Sequence, residues 1–437
     1  MSQTDHPVAR ARQTERRLLM LAMIVVLGAY TVLGLSRDPR IPSGTFVFGG
    51  ALVALAVFAH LVVRRFAPLA DPVLLPLGLL LNGLGLVLVR RVDFAEGSDL
   101  AVSQTTWTVV GIGLFTAVLV LVREYRRLAR YSYTAGLLTI LLLLLPLAPS
   151  IGTEVNGAQL WVRVGPLTFQ PGEVAKLTLV VFLAGYLDRK RALLSVATQR
   201  VGPLLLPPMR HLAPVLAGVG IALGILVMQR DLGSALLLLG VFVTVLYIAT
   251  GRLAYPAIGM ASFGAGVVVM YQLFDHVQRR FSIWLDPWAD PTDAGFQILQ
   301  SLFALGTGGL TGAGLGLGRP DDIPFAATDV IFAVLGEELG LLGATAVLVA
   351  RGFRIALTAR DEVGTLLAAG LTTILGLQVF IIVGGVTRLI PLTGITLPFV
   401  SYGGSSLIAN YVLLALLLRI SHEERRAAHH GLGEVAS

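Results

Sequence analysis

Twelve apolar stretches recur along the chain, eleven of them eighteen residues or longer, and they leave it one broad kind of fold. They cover residues 18–36, 44–63, 71–89, 104–122, 133–150, 173–187, 211–228, 233–250, 254–274, 329–350, 362–386 and 398–420. About 18 apolar residues suffice for a helix to cross a bilayer. A mean hydropathy of +0.80 and only 14% charged residues fit the same class. The expected architecture is an all-α polytopic membrane protein with about twelve transmembrane helices. One transmembrane domain, 18–420, lies between a polar basic tail at 1–17 and a tail at 421–437. The apolar run after the first tail lacks a small-residue cleavage site, so the tail reads as retained.

Basic residues set the orientation. With the N-terminus inside, 22 of the 33 Lys and Arg fall on inner segments and ten on outer ones, with Lys176 at a helix mouth. This bias places both termini in the cytoplasm. Two long loops, 151–172 and 275–328, then face outward. The net charge of +7 is explained by orientation in the membrane and points to no nucleic acid. Cysteine is absent and the seven histidines are scattered, which excludes a disulfide framework, a thiol nucleophile and a zinc motif.

The stretch 279–301, RRFSIWLDPWADPTDAGFQILQS, is polar, acidic and aromatic in a chain otherwise largely apolar. Asp286, Asp290 and Asp293 fall within eight positions, and the first two precede proline. A residue before proline is pushed out of the helical region, so the stretch reads as a folded-back loop. Carboxylates on a rigid loop beside a membrane are a place to look for chemistry. Asp-Pro is also a common turn signal, and on residue preferences alone the turn reading weighs more. After it, 295–305 has helical periodicity, and 306–318 holds seven glycines. No Lys-Ser/Thr follows them, which excludes a phosphate-cradling loop. Their GxxxG spacings suit close backbone packing.

Charge inside a bilayer costs several kcal/mol and is usually paired or functional. Glu337 and Glu338 fall near the middle of the tenth stretch and, about 100° apart on a helix, cannot face one partner. Structure and function explain them equally. Glu173 and Lys176 sit one turn apart at the outer mouth of the sixth, as an ion pair or with Lys176 facing an anionic ligand. Asp231 reads as an N-cap. The Gly-, Ser- and Pro-rich 393–406, with Ser401 and Tyr402, reads as a broken helix mouth lining a site, or as a plain loop. Arg163, Arg279, Arg280, Arg319 and Arg388 could gather around a phosphate-bearing substrate, and arginines also simply decorate surfaces.

Six motifs in order, NGAQLWVRVGPLTFQPGEVAKL, QRDLGSA, WLDPWADPTDAGFQILQS, GTGGLTGAGLGLG, TDVIFAVLGEELGLLG and PLTGITLPFVSYGGSS, resemble those of SEDS proteins, the RodA/FtsW family of peptidoglycan glycosyltransferases. The resemblance covers roughly residues 150–420. It implies a ten-helix core, polymerisation of lipid II into glycan strands at the outer face of the bacterial cytoplasmic membrane, and a class B penicillin-binding protein as partner. The family's catalytic aspartate lands on Asp290. Charged cavity positions land on Glu173, Lys176, Asp329 and Glu338. The chain departs from the family in two places. It has two extra N-terminal helices, which resemble the actinobacterial RodA-like branch and favour elongation over division. It also has Leu160 where many relatives carry an arginine before the tryptophan, and Arg163 could substitute.

The chemistry follows from the substrate. An α-linked pyrophosphate donor and a β-1,4 product mean inversion, and a single displacement needs one general base, here Asp290. The pyrophosphate needs positive charge, from Lys176 and the outer arginines. No cofactor is evident; a divalent cation would also serve, though no ligand set is apparent. Two other classes remain: a flippase for the lipid-linked precursor, using Glu337, Glu338 and Lys176, and a non-enzymatic scaffold for its penicillin-binding partner.

Overall fold

A computed structural model of the protein describes residues 5–36, 44–155, 158–165, 167–195, 199–201, 204–206, 209–309, 311–339 and 344–435. Asn156 and Gly157 of the NGA motif and Arg37 and Arg40 lie outside the described residues. The helices are α1 (Asp5–Leu35), α2 (Gly44–Phe66), α3 (Leu74–Glu96), α4 (Leu100–Leu121), α5 (Arg126–Arg130), α6 (Ser132–Leu144), α7 (Gly172–Ser195), α8 (Met209–Met228), α9 (Leu232–Thr250), α10 (Ala254–Leu273), α11 (Asp275–Leu285), α12 (Phe296–Gly308), α13 (Ile331–Leu339), α14 (Ala344–Thr358), α15 (Glu362–Val386) and α16 (Gly404–Val435).

Every one of the twelve apolar stretches is helical over most of its length. Among the described residues, eight helices are long and apolar enough to cross a membrane: α1 to α4, α9, α10, α15 and α16. The stretches at 133–150 and 211–228 form apolar helices that are shorter. The stretch at 329–350 is divided between α13 and α14, with 340–343 outside the described residues.

The fold is nearly all helical, as expected, and carries two small sheets in addition. Strands β1 (Gly152–Val155), β2 (Ala158–Val164) and β3 (Leu167–Phe169) form an antiparallel sheet in that order, with Gly152 opposite Val162 and Arg163 opposite Thr168. A second hairpin pairs β4 (Gln199–Val201) with β5 (Leu204–Leu206). Most of both polar tails is helical too, because their charges find partners. Arg12 pairs with Glu15 and donates to Ala70 O, and Glu15 meets His60 at 2.6 Å. At the other end Arg425 meets Asp71 at 2.9 Å, and the Leu69 N–H donates to His422 Nδ1 at 3.1 Å.

The chain divides into two compact units. The first comprises 1–123, 280–351 and 378–437; the second comprises 124–279 and 352–377. In the first, α1 packs along α3, and α4 along α16. Leu33, Leu84, Leu86 and Val87 are buried there together. Apolar packing gives no helix direction on its own, and buried polar groups supply it. Asn82 Nδ2 donates to Thr108 Oγ1 at 3.1 Å and to Tyr411 Oη at 3.0 Å, tying α3, α4 and α16 together. Gly85 lets α3 close on the loop before α16; a Cβ there would lie 2.6 Å from Val400 O.

The second unit packs α6 on α7 and α7 on α9. Tyr125 Oη donates to Asp361 Oδ2 at 2.7 Å, joining the segment before α5 to the start of α15. Asp231 caps α9 as expected, accepting from the Ser234 N–H at 2.9 Å.

Candidate functional site

The segment expected as one folded-back loop begins as a helix. Residues up to Leu285 belong to α11, and a 3₁₀ turn, Pro287–Ala289, follows. The helix ends where Asp286 precedes Pro287. Asp286 caps that turn, its carboxylate accepting from the Trp288 N–H at 3.1 Å. Asp290 then accepts from two backbone N–H groups, with Oδ1 3.2 Å from Asp293 N and Oδ2 3.3 Å from Ala294 N. Its own carbonyl accepts from Gly295 N at 2.8 Å. The carboxylate closes its own turn, as the turn reading expects, and stays exposed, with lone pairs open to accept a proton. On its far side the loop enters α12, the expected short helix. Trp288 leans on Phe303 of α12, ring centroids 5.9 Å apart.

A second polar group gathers ahead of α13. Asp329 is half-buried beside Gly394, and its carboxyl is pushed up to about 6, chiefly by burial. Arg280 acts on it in the opposite sense and also donates to Thr393 O at 3.3 Å. Ser401 is buried, and its hydroxyl donates to Thr328 O at 2.7 Å and accepts from Leu397 N at 2.8 Å. Tyr402 N donates to Ala327 O at 2.8 Å, and its hydroxyl to Ser103 Oγ at 3.2 Å. Asp329 thus faces Arg280, and Ser401 and Tyr402 are bonded to the backbone just before Asp329, at Thr328 O and Ala327 O. Residues 393–403 are a loop with a turn at 398–400, and α16 starts at Gly404 rather than at 398. The hydroxyl of Ser401 is occupied in holding that loop.

Glu337 and Glu338 lie in the last described turn of α13, and 340–343 after it lie outside the described residues. They do take separate partners. Glu337 accepts from the Arg319 N–H at 3.2 Å, and Glu338 accepts from the Gly316 N–H at 3.1 Å and pairs with Arg91 at 3.1 Å. Arg91 also donates to Gly318 O at 2.6 Å. The glycines serve close packing, as their spacing suggests: a Cβ at Gly308 would meet Gly336 O at 2.2 Å. Together these bonds fasten the glycine-rich loop to α3 and α13. Glu338→Ala should destabilise the protein by about 3–5 kcal/mol, because it leaves a buried guanidinium without its counter-charge. Replacing Arg91 and Glu338 together by methionine should recover most of that loss. Thermal unfolding in detergent checks both, and equal losses for the single and double variants would remove the ion pair from the account.

The remaining candidates belong to the second unit. Glu173 and Lys176 form the expected i, i+3 pair at 2.5 Å, both largely buried. Arg163 is exposed on β2, and Arg279 is exposed on α11. Of the outer arginines, Arg388 is committed elsewhere: it donates to Trp284 O at 2.9 Å and Leu285 O at 2.7 Å. The structural parts played by Arg91 and Arg388 are not legible in the sequence, where Arg388 reads as one of the arginines that could gather around a phosphate-bearing substrate. Among the described residues no three Asp, Glu or His side chains are grouped to hold a metal ion.

Comparison with known proteins decides the family. The family model described as cell cycle protein, covering FtsW, RodA and SpoVE, matches residues 72–426. The chain belongs to this family. It is 46% identical to the peptidoglycan glycosyltransferase RodA of Mycobacterium tuberculosis (strain ATCC 25618 / H37Rv), over 96% of this chain and 92% of that protein. It is 35% identical to the stage V sporulation protein E of Bacillus subtilis (strain 168), over 81% and 98% respectively. A solved chain from a peptidoglycan synthase complex that coordinates polymerization and crosslinking superposes with a TM-score of 0.55 at 27% identity, covering 86% of this chain and 96% of that one. The family match begins at residue 72, so α1 and α2 lie ahead of it. The mycobacterial match covers nearly the whole chain, in keeping with the RodA-like branch.

Proposed function

We propose that this protein is a peptidoglycan glycosyltransferase of the RodA type, polymerising lipid II into glycan strands at the outer face of the bacterial cytoplasmic membrane in support of cell elongation. The observation that carries the reading is the near end-to-end match to relatives named peptidoglycan glycosyltransferase RodA. Asp290 acts as general base. Its carboxylate is exposed and held by two backbone N–H groups, which suits removal of the proton from the acceptor sugar's 4-hydroxyl as the anomeric carbon is attacked. Such a base contributes on the order of 10²–10⁴ in rate.

The departing pyrophosphate takes charge that cations must balance. Arg280, already set against Asp329, fills this role within the unit that carries Asp290. Among the described residues no group of acidic or histidine side chains fits a divalent cation as a resident group. A substrate anchored by a lipid tail explains why the enzyme is built of spanning helices with both termini inside. A class B penicillin-binding protein is the partner that cross-links the strands; the similar chain in a synthase complex supports this pairing.

The test is to incubate the purified protein, with its penicillin-binding partner, with labelled lipid II and to resolve the products by length. Glycan polymer that requires this chain supports the reading. Movement of lipid II across a vesicle bilayer without polymer would support transport instead, and neither activity would leave a scaffold.

A further inference from the structure

Arg388 stands in a backbone conformation that side chains avoid, with φ at 63°. It stands two residues past Val386, the last residue of α15. There Leu389 N donates to Gly384 O at 2.7 Å, and Arg388 N donates to Gly385 O at 3.2 Å. That pair of bonds is the usual helix ending whose left-handed residue is glycine. An arginine in its place carries strain, and an arginine offers what glycine cannot, a side chain.

That side chain reaches across to α11. Nε donates to Trp284 O at 2.9 Å and an Nη donates to Leu285 O at 2.7 Å. The indole Nε1 of Trp284 donates back to Arg388 O at 3.0 Å. Trp284 and Leu285 are the last two residues of α11, whose carbonyls have no partners inside the helix. A cation is also favoured at that end. The residue after Leu285 is Asp286, where the aspartate loop begins. Three hydrogen bonds between residues about a hundred positions apart therefore clamp the root of the loop that carries Asp290. The simple alternative is that Arg388 only ends α15. Glycine would do that better.

We propose that Arg388 is a positioning residue that fixes the aspartate loop and so holds Asp290 in place for proton removal. The proposal rests on the glycosyl-transfer reading of Asp290. Arg388 itself touches no reacting atom; it acts through α11 and the turn that follows.

Arg388→Gly makes a discriminating variant, because it keeps the left-handed turn, relieves its strain and deletes only the two side-chain bonds of the clamp, leaving the Trp284 bond to the backbone carbonyl. The chain contains no cysteine, so a single Thr292→Cys on the exposed part of the loop accepts a nitroxide label cleanly. Three measurements are made: label mobility, turnover of lipid II without the label, and KM. Arg388→Gly is expected to free the label and to lower kcat on the order of 10–100-fold, the scale of an ångström-sized misplacement, with KM little changed. Arg388→Lys, which can still donate to one carbonyl, is expected to recover part of both effects. An unmoved label overturns the proposal. So does a freed label with normal turnover, and so does lost turnover with an unmoved label. A wild-type protein that makes no polymer would sink the glycosyl-transfer reading instead, and the label would still decide whether Arg388 holds the loop.

Discussion

Asp290→Asn is expected to lower the rate of lipid II polymerisation on the order of 10²–10⁴-fold, the contribution of a well-placed general base, while the protein remains folded. Asparagine keeps an acceptor oxygen for the Asp293 N–H, so one of the two bonds that close the turn survives. It cannot accept a proton at neutral pH, and that difference is the test. Asp290→Ala removes both bonds and should be no more active. Two neighbouring carboxylates give the comparison. Asp286 spends its carboxylate on the Trp288 N–H, so Asp286→Asn should disturb the turn and cost less. Asp293 is exposed, and Asp293→Asn should cost least. The measurement is initial polymerisation rate at saturating lipid II, on variants that elute from size exclusion as the wild type does. Normal polymerisation by Asp290→Asn would remove Asp290 as the base.

The spanning helices were legible because their signal is local. A run of apolar residues specifies a helix whatever it packs against, and α9 and α15 follow their runs to within a residue. α11 was hidden because its apolar residues, among them Val277, Phe281 and Trp284, are diluted by charge and end at an Asp-Pro step. The sheet around Trp161 was hidden because its strands are three to seven residues long, too short for an alternation to stand out. In the site, Asp290 and the Glu173–Lys176 pair were legible because their partners are three or four positions away. Arg91 with Glu338, Arg280 with Thr393 and Arg388 with Trp284 were not. Those pairs are set by how separate segments come together, and a single sequence carries no register between them.

If the aspartate loop is a frame and not merely a tether, damage to its packing should cost nearly as much as damage to its carboxylate, and Gly295→Ala separates the two. Gly295 sits at the start of α12 with φ −83° and ψ −12°, a conformation open to any residue. On backbone preference alone alanine should help, by roughly 0.5–1 kcal/mol. The obstacle is space. A Cβ at Gly295 would lie 2.1 Å from Pro287 O and 2.8 Å from Asp290 O. Both are backbone atoms of the turn, with no flexible tip to swing aside. The turn must open, and Asp290 moves with it. Gly295→Ala is therefore expected to keep its helix content and its elution profile and to lose polymerisation by about 10²-fold or more. Gly306, also in α12, has nothing within 4 Å of its Cβ position, so Gly306→Ala should polymerise like wild type. Helix content by circular dichroism and initial rates on both variants decide it. Wild-type rates from Gly295→Ala would mean that the loop tolerates displacement of its carboxylate, and the base would then need no fixed geometry.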